Sequence, residues 1–308
     1  MAKKKKRRSA GSLVLTLLII VFSGVLIYSA VNLGQIWLKY HHNTVSQGRV
    51  SDLFYGQTGD GTGATAGATA GATAEAVDGT GVSAGAVTGD AATGTSLGQN
   101  TLTGAISLGP LVSQNPDTVG WINIPDTVVD YSVMQAEDND YYLHRDFFGE
   151  YNFNGMIFMD YRNTIGGKWQ NYIMYGHRMS DKTMFYIIGK YLEQDWYEDH
   201  KTFTVLMRVG DEDILYDCKV FSAYRLTTSL DVWVPYFADV NEYEKYIREE
   251  TERSMIQCDV TASRDDQILT LSTCDYELSQ TEGRLLVHAI MIPRVVTPVE
   301  AKPVGQPQ

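Results

Sequence analysis

Gln267-Ile268-Leu269-Thr270-Leu271-Ser272-Thr273-Cys274 is followed by nine mainly polar residues and then by Arg284-Leu285-Leu286-Val287-His288-Ala289-Ile290-Met291-Ile292-Pro293. Both runs are short, aliphatic and bounded by polar or turn residues, the pattern of buried β-strands. A connection of this length makes them neighbours in one sheet. Cys274 ends the first strand and Arg284 begins the second, so the two side chains belong at the same end of the sheet. Alternation puts Thr270, Ser272 and Cys274 on one face and Leu269, Leu271 and Thr273 on the other.

A thiol at a strand end is well placed to act as a nucleophile, although position alone fits a small buried apolar residue equally well. Arg284 is a permanent cation with several donors, suited to an oxyanion or a substrate carbonyl. Its plainer use is a surface ion pair with Asp275, Glu277 or Glu282. About a hundred residues upstream, Tyr172-Ile173-Met174-Tyr175-Gly176-His177 closes another apolar run with an imidazole, and Gly176 permits a sharp turn there. His288 is a rival base, but four residues along the strand from Arg284 it lies about 13 Å further on. His144, His200, His41 and His42 have no strand-end setting and read as structural or solvent-facing.

Further strands are expected at Gly120 to Pro125, Val128 to Met134, Gly155 to Met159, Asn171 to Tyr175, Phe203 to Val209 and Ile214 to Tyr224. Met184 to Tyr191 reads as a short helix. Asn241 to Ile256 reads as an amphipathic one, with Tyr243, Tyr246, Ile247, Thr251 and Ile256 near helical spacing. Many short strands with a few helices indicate a mainly β fold, a closed barrel with helical insertions.

Towards the N-terminus, Leu13 to Val31 is an uncharged apolar run of nineteen residues behind the cluster Lys3-Lys4-Lys5-Lys6-Arg7-Arg8. At helical rise it spans about 28 Å, close to the hydrocarbon thickness of a bilayer. It is longer than the apolar core of a cleaved signal peptide. The basic cluster would stay cytoplasmic, which places the rest of the chain outside the cell. Residues 56–108 are dominated by Gly, Ala and Thr, with Gly-Ala-Thr-Ala three times in succession from residue 63. Such a stretch has too little apolar surface to offset its chain entropy and reads as a flexible tether. The expected organisation is a basic tip (1–12), a transmembrane anchor (13–31), a juxtamembrane segment and linker (32–110), a catalytic domain (111–296) and a loose tail (297–308).

The net charge of the whole chain is −12, and since the basic tip carries six positive charges the remainder carries −18. An acidic body argues against nucleic acid as a partner. The three cysteines leave at least one thiol unpaired. Cys218 and Cys258 could form a disulfide, but two buried thiols is the simpler reading. No zinc-type spacing, Walker loop, dinucleotide glycine pattern or Gly-x-Ser-x-Gly elbow is present, so neither a metal nor a cofactor is implied.

Together these motifs resemble the sortases. Thr270-Leu271-Ser272-Thr273-Cys274 resembles the family's Thr-Leu-x-Thr-Cys signature, Gly283-Arg284-Leu285-Leu286-Val287 its arginine at the start of the last strand, and Tyr175-Gly176-His177 its histidine. The stretches 178–185, 138–145 and 155–163, and the helix before the Cys strand, are similar to class B members. The resemblance covers roughly residues 112–293. It implies an eight-stranded barrel and a cysteine transpeptidase, with Cys274 as nucleophile, His177 as acid/base and Arg284 with the backbone N–H of Asp275 as oxyanion stabilisers. It further implies that Ser272, Tyr175, Asn139 and Leu143 line the substrate groove, with Leu226 to Phe237 as another wall. The partners implied are secreted proteins with a C-terminal sorting motif and an amine of the cell wall or of a pilin, in a Gram-positive-type envelope. A secreted cysteine protease that hydrolyses the same intermediate and a non-enzymatic display protein are the alternatives.

Overall fold

The computed structural model describes residues 10–56, 102, 106–229 and 232–294. The basic tip through Ser9, most of the Gly/Ala/Thr-rich stretch (57–101) and the tail after Arg294 lie outside the described residues.

The aliphatic runs on either side of the 275–283 connection form β7 (Gln267–Cys274) and β8 (Gly283–Pro293), antiparallel from Gln267↔Met291 to Cys274↔Arg284. Six more strands precede them: β1 (Thr118–Asn123), β2 (Asp130–Met134), β3 (Ile157–Met159), β4 (Asn171–Tyr175), β5 (Thr202–Val209) and β6 (Glu212–Thr227). They close a barrel in the order β1-β2-β3-β4-β7-β8-β6-β5. The β2–β3 and β4–β7 pairs are parallel and the others antiparallel. Closure leaves no free sheet edge. The barrel interior is filled by aliphatic and aromatic side chains, among them Val133, Ile157, Met174, Phe185, Leu271 and Val287.

The expected helix at Met184–Tyr191 begins later, as a 3-10 segment over Ile187–Leu192. Met184 itself is buried with a positive φ of 55° and cannot start a helix. Two short helices unforeseen in the sequence, α2 (Gly109–Gln114) and α3 (Gln194–Asp199), flank the barrel. The amphipathic helix is α4 (Val240–Glu252), shorter at its end than the periodicity suggested. Asp239 caps it by accepting from the N–H groups of Asn241 and Glu242. Its Tyr243, Tyr246 and Ile247 pack over Phe221, Ile268 and Ile290 on the outer barrel wall. Glu250, on the same face, is fully buried against His288 and also bonds Tyr224 and Arg253. That cluster occupies His288, whose Nδ1 meets the Thr270 hydroxyl.

The N-terminal region departs most from expectation. A single helix, α1 (Ala10–Tyr55), runs through the apolar stretch and on through the segment read as juxtamembrane. Its far end is docked on the barrel. Phe54 stacks on Trp121 with centroids 4.0 Å apart, the Tyr55 hydroxyl donates to Asp130 at 2.8 Å, and the Ser46 hydroxyl donates to Asp146 at 2.8 Å. On the other side of residues 57–101 the chain is docked again. Leu102 is buried and its carbonyl accepts from Arg294, while Leu108 and Leu111 join Val50, Phe54 and Trp121 in one apolar cluster. Both flanks of the presumed tether are therefore fastened to the same body, and that stretch cannot set the distance between α1 and the barrel.

Phe54→Ala removes a fully buried ring from this junction and should lower the unfolding free energy of the full chain by about 3 kcal/mol. Halving the 57–101 segment changes loop-closure entropy by only about 0.6 kcal/mol. Thermal unfolding of the two variants in detergent should show a clear drop for the first and almost none for the second.

Candidate active site

The site is assembled by β7, which lies between β4 and β8. The parallel register pairs Tyr175 with Ser272, so the chain beyond β4 and the end of β7 emerge at the same rim. The antiparallel register pairs Cys274 with Arg284 across that rim. The Gly176 N–H donates to the Ser272 carbonyl at 3.2 Å, and the Thr273 hydroxyl donates to the Gly176 carbonyl at 2.7 Å, fixing the residue that precedes His177. Gly176 is needed here for close packing rather than for a turn, because a Cβ would run into Ile157 and Phe185. At the other side of the rim a Cβ on Gly283 would overlap the Asp275 carbonyl.

The result is a cleft of about 310 Å³ lined by Cys274, His177 and Arg284 together with Asn139, Leu143, Tyr175 and Ser272. All seven were expected at the site. Asp275 was too, but the structure places it elsewhere. Its N–H donates to the Gly283 carbonyl at 2.9 Å, closing the last rung between β7 and β8, so it is not free to face an oxyanion. Its carboxylate is buried on the opposite side, where Arg178 and Arg225 each approach at 3.2 Å.

This arrangement decides the state of Arg284. Asp275 and Glu277 are both engaged by Arg178 and Arg225. Among the described residues no carboxylate pairs with Arg284, whose Nη1 instead donates to the carbonyls of Gly283 at 2.8 Å and Thr281 at 3.3 Å. Its charge is thus held in place by neutral acceptors and remains uncompensated beside the thiol, the condition under which a cation acts on a developing negative charge.

His177 is half-buried, and its Nε2 lies 2.9 Å from the Leu143 carbonyl. A carbonyl only accepts, so Nε2 carries the proton and Nδ1 keeps the lone pair in the neutral ring. Burial pulls the imidazole below the ordinary value of 6.5, and the Leu143 carbonyl, which favours the protonated form, does not offset this. His144, taken from sequence as structural or solvent-facing, stacks on His177 with centroids 5.5 Å apart. Tyr276 was also missed. Its phenol is raised first by burial and then by the nearby Cys274. Nothing in the spacing marks Tyr276, which follows the thiol by two residues in a polar loop.

Away from the thiol, the cleft wall converges on Asp160, just past β3. Its buried carboxylate accepts from the Tyr175 hydroxyl at 2.9 Å, from Asn139 Nδ2 at 3.2 Å and from Arg162 Nε and Nη2 at 2.9 and 2.8 Å. Arg162 also donates to the Trp233 carbonyl, and Trp233 Nε1 donates to the Ser272 hydroxyl at 3.2 Å. Part of the expected Leu226–Phe237 wall is thereby tied to the same carboxylate. Cys218 and Cys258 are free thiols, the first fully buried.

A closed mixed barrel with a thiol, an imidazole and an unpaired guanidinium on one rim has the layout of a thiol-dependent acyl transferase. The Sortase domain family matches residues 122–292. Sortase B of Listeria monocytogenes is 36% identical over 185 residues, covering 60% of this chain and 74% of that protein. Sortase B of Staphylococcus aureus is 38% identical over 178 residues, covering 58% and 71%. A Staphylococcus aureus sortase B–substrate complex superposes with a TM-score of 0.56 at 37% identity, covering 60% of this chain and 84% of that one. The chain belongs to the sortase family, with sortase B proteins as its relatives, and is a cysteine transpeptidase.

Burial alone would raise the Asp160 carboxyl, but the hydrogen bonds from Arg162 and Tyr175 outweigh it and hold the group below its ordinary 3.8. A carboxyl depressed in the folded state stabilises above the unfolded value and loses that contribution as pH falls through the folded one. Asp160→Asn should cost about 1–3 kcal/mol at pH 7. Denaturation curves should bring variant and parent together as the pH is taken below about 3.8.

Proposed function

We propose that Cys274, His177 and Arg284 are the catalytic groups of this transpeptidase, and that it works outside the cell on secreted proteins bearing a C-terminal sorting motif. The observation that carries the reading is the double register of β7, Tyr175↔Ser272 and Cys274↔Arg284, which supports a common meeting point for three residues far apart in the chain.

In this mechanism the Cys274 sulfur attacks a peptide carbonyl of the sorting motif while the thiol proton passes to Nδ1 of His177. Negative charge gathers on the carbonyl oxygen, where the Arg284 guanidinium opposes it. Collapse of the tetrahedral species breaks the C–N bond. His177 returns its proton to the departing amine and a thioester remains on Cys274. An acceptor amine of the cell wall or of a pilin then attacks the thioester, gives its surplus proton to His177, and leaves as a new amide. Sulfur departs as thiolate and recovers the proton. Asn139, Leu143, Tyr175 and Ser272 are the groove residues that hold the motif. That Asn139 and Tyr175 bond Asp160 directly, and Ser272 is linked to it through Trp233 and Arg162, supports their acting as one preformed surface.

We further read residues 13–31 as a transmembrane anchor with the basic tip in the cytoplasm. The exposed apolar face of α1 supports this: Leu18 through Ile27 and Val31 are largely uncovered, and the helix is long and apolar enough to cross a bilayer.

Cys274→Ala should abolish the thioacyl adduct seen by mass spectrometry with a sorting peptide and leave the melting temperature unchanged. Persistence of cleavage in that variant defeats the mechanism. Product analysis separates transpeptidation, in which the added amine appears in product, from hydrolysis, which ignores it. Arg284→Ala should lower kcat by about 10²–10³-fold, the range for a lost oxyanion donor.

Because His177 must be neutral to accept the thiol proton and its pKa is lowered, the acid limb of kcat/KM should have its midpoint below 6.5. A pH–rate profile whose acid limb lies above that value would assign the base elsewhere.

A further inference from the structure

The distribution of charge along α1 places the barrel relative to a bilayer. After Arg8, thirty residues from Ser9 to Leu38 carry no charge, and Lys39 is the first that does. Thirty residues at helical rise extend about 45 Å, the thickness of a bilayer with its headgroups. Lys39 therefore falls at the outer headgroup level. Ile36, Trp37 and Leu38, just below it, are exposed in the structure. The barrel begins almost at once, since Asn43 is already buried against it. Four residues of helix rise only about 6 Å.

The part of the barrel beside Lys39 and Asn43 is the loop between the 3-10 turn at Tyr141–Leu143 and β3. Asn152 Nδ2 donates to Asn43 Oδ1 at 3.1 Å, and Lys39 Nζ sits 5.5 Å from the centre of the Phe153 ring. On either side of that bond the loop shows two large aromatic rings, Tyr151 at 65% exposure and Phe153 at 45%. The Arg145 backbone is bridged to Tyr151, and its guanidinium lies 4.9 Å from the centre of the exposed Tyr141 ring. In a body with a net charge of −18, this corner gathers cations around exposed rings. Aromatic rings and long cationic side chains are the chemistry that settles in the headgroup layer.

We propose that the loop Tyr151-Asn152-Phe153 is a membrane contact, a second foothold of the barrel in the phospholipid headgroups of the leaflet that α1 leaves. This rests on the reading of α1 as a membrane anchor. It has a consequence for the site. His144 lies between Tyr151 and His177, with ring centroids 6.4 and 5.5 Å apart, so the cleft opens two ring contacts from the lipid surface. The enzyme then meets its peptide at the bilayer surface rather than at a distance set by a tether.

The test uses the full chain in nanodiscs containing phosphatidylglycerol. A fluorescent amino acid replaces Phe153, Val128 or Ile27 in separate preparations, and nitroxide lipids quench at headgroup or acyl-chain depth. Val128 is the control. It adjoins Asp130, which Tyr55 bonds, sixteen residues or about 24 Å further along α1 than Lys39. The probe at 153 should lose most of its emission to headgroup nitroxide, the probe at 27 to acyl-chain nitroxide, and the probe at 128 to neither. If 27 is quenched and 153 is not, α1 spans the bilayer but the loop stands clear of it, and the proposal is overturned. Equal quenching at 153 and 128 overturns it as well, because the barrel then has no preferred face. An unquenched probe at 27 removes the anchor reading and the inference with it.

Discussion

The site depends on one strand being held in two registers at once. β7 is parallel to β4 and antiparallel to β8, and both ladders run through its last residues. A slip of one residue in either ladder would turn side chains to the opposite face and separate the thiol from the imidazole or the guanidinium. Several features oppose such a slip. Leu269 and Leu271 point into the packed interior, Thr270 is bonded to Asn171 and His288 on the outer side, and the Asp275 N–H closes the ladder on Gly283. The buried Glu250–His288 pair then pins α4 over the same wall. Polar groups so deeply buried are costly unless bonded, and here the bonding is specific to one register.

Charge is sorted with the same economy around the rim. Of the three carboxylates on the β7–β8 connection, Asp275 and Glu277 are both drawn to Arg178 and Arg225, and Glu282 makes no ion pair among the described residues. Had either turned to Arg284, the guanidinium would have been neutralised beside the sulfur. The buried carboxylate next to Cys274 thus contributes by where it is not, and its side chain lies on the face opposite the cleft, as strand alternation requires.

Much of this was legible in the sequence, for identifiable reasons. β7 and β8 are continuous aliphatic runs with chemistry-bearing residues at their ends, and a nine-residue connection leaves little choice of partner. The seven cleft residues could be named because the motifs around them resemble those of the sortases; position alone left Cys274, His177 and Arg284 open to plainer readings. What failed to show was the use of individual backbone groups. The Asp275 amide is spent on Gly283, which depends on how the connection folds back and not on residue type. Gly176 looked like a turn residue but serves close packing, a fact about Ile157 and Phe185. The docking of α1 was missed because its buried residues, Asn43, Ser46, Val50 and Phe54, are half polar and precede a repetitive stretch. Their spacing of three, four and four residues was the available signal.

The docking of both flanks of residues 57–101 has one more consequence. Because Tyr55 and Leu102 are each bonded to the barrel and share its apolar cluster or its neighbours, the connection between them is covalently present but mechanically redundant. A chain cut anywhere in that stretch would remain one assembled particle, with α1 held on the barrel by packing and hydrogen bonds alone. Length and composition there are accordingly open to drift, duplication or decoration, which is a sufficient physical reason for a low-complexity repeat to persist between two ordered parts of an enzyme.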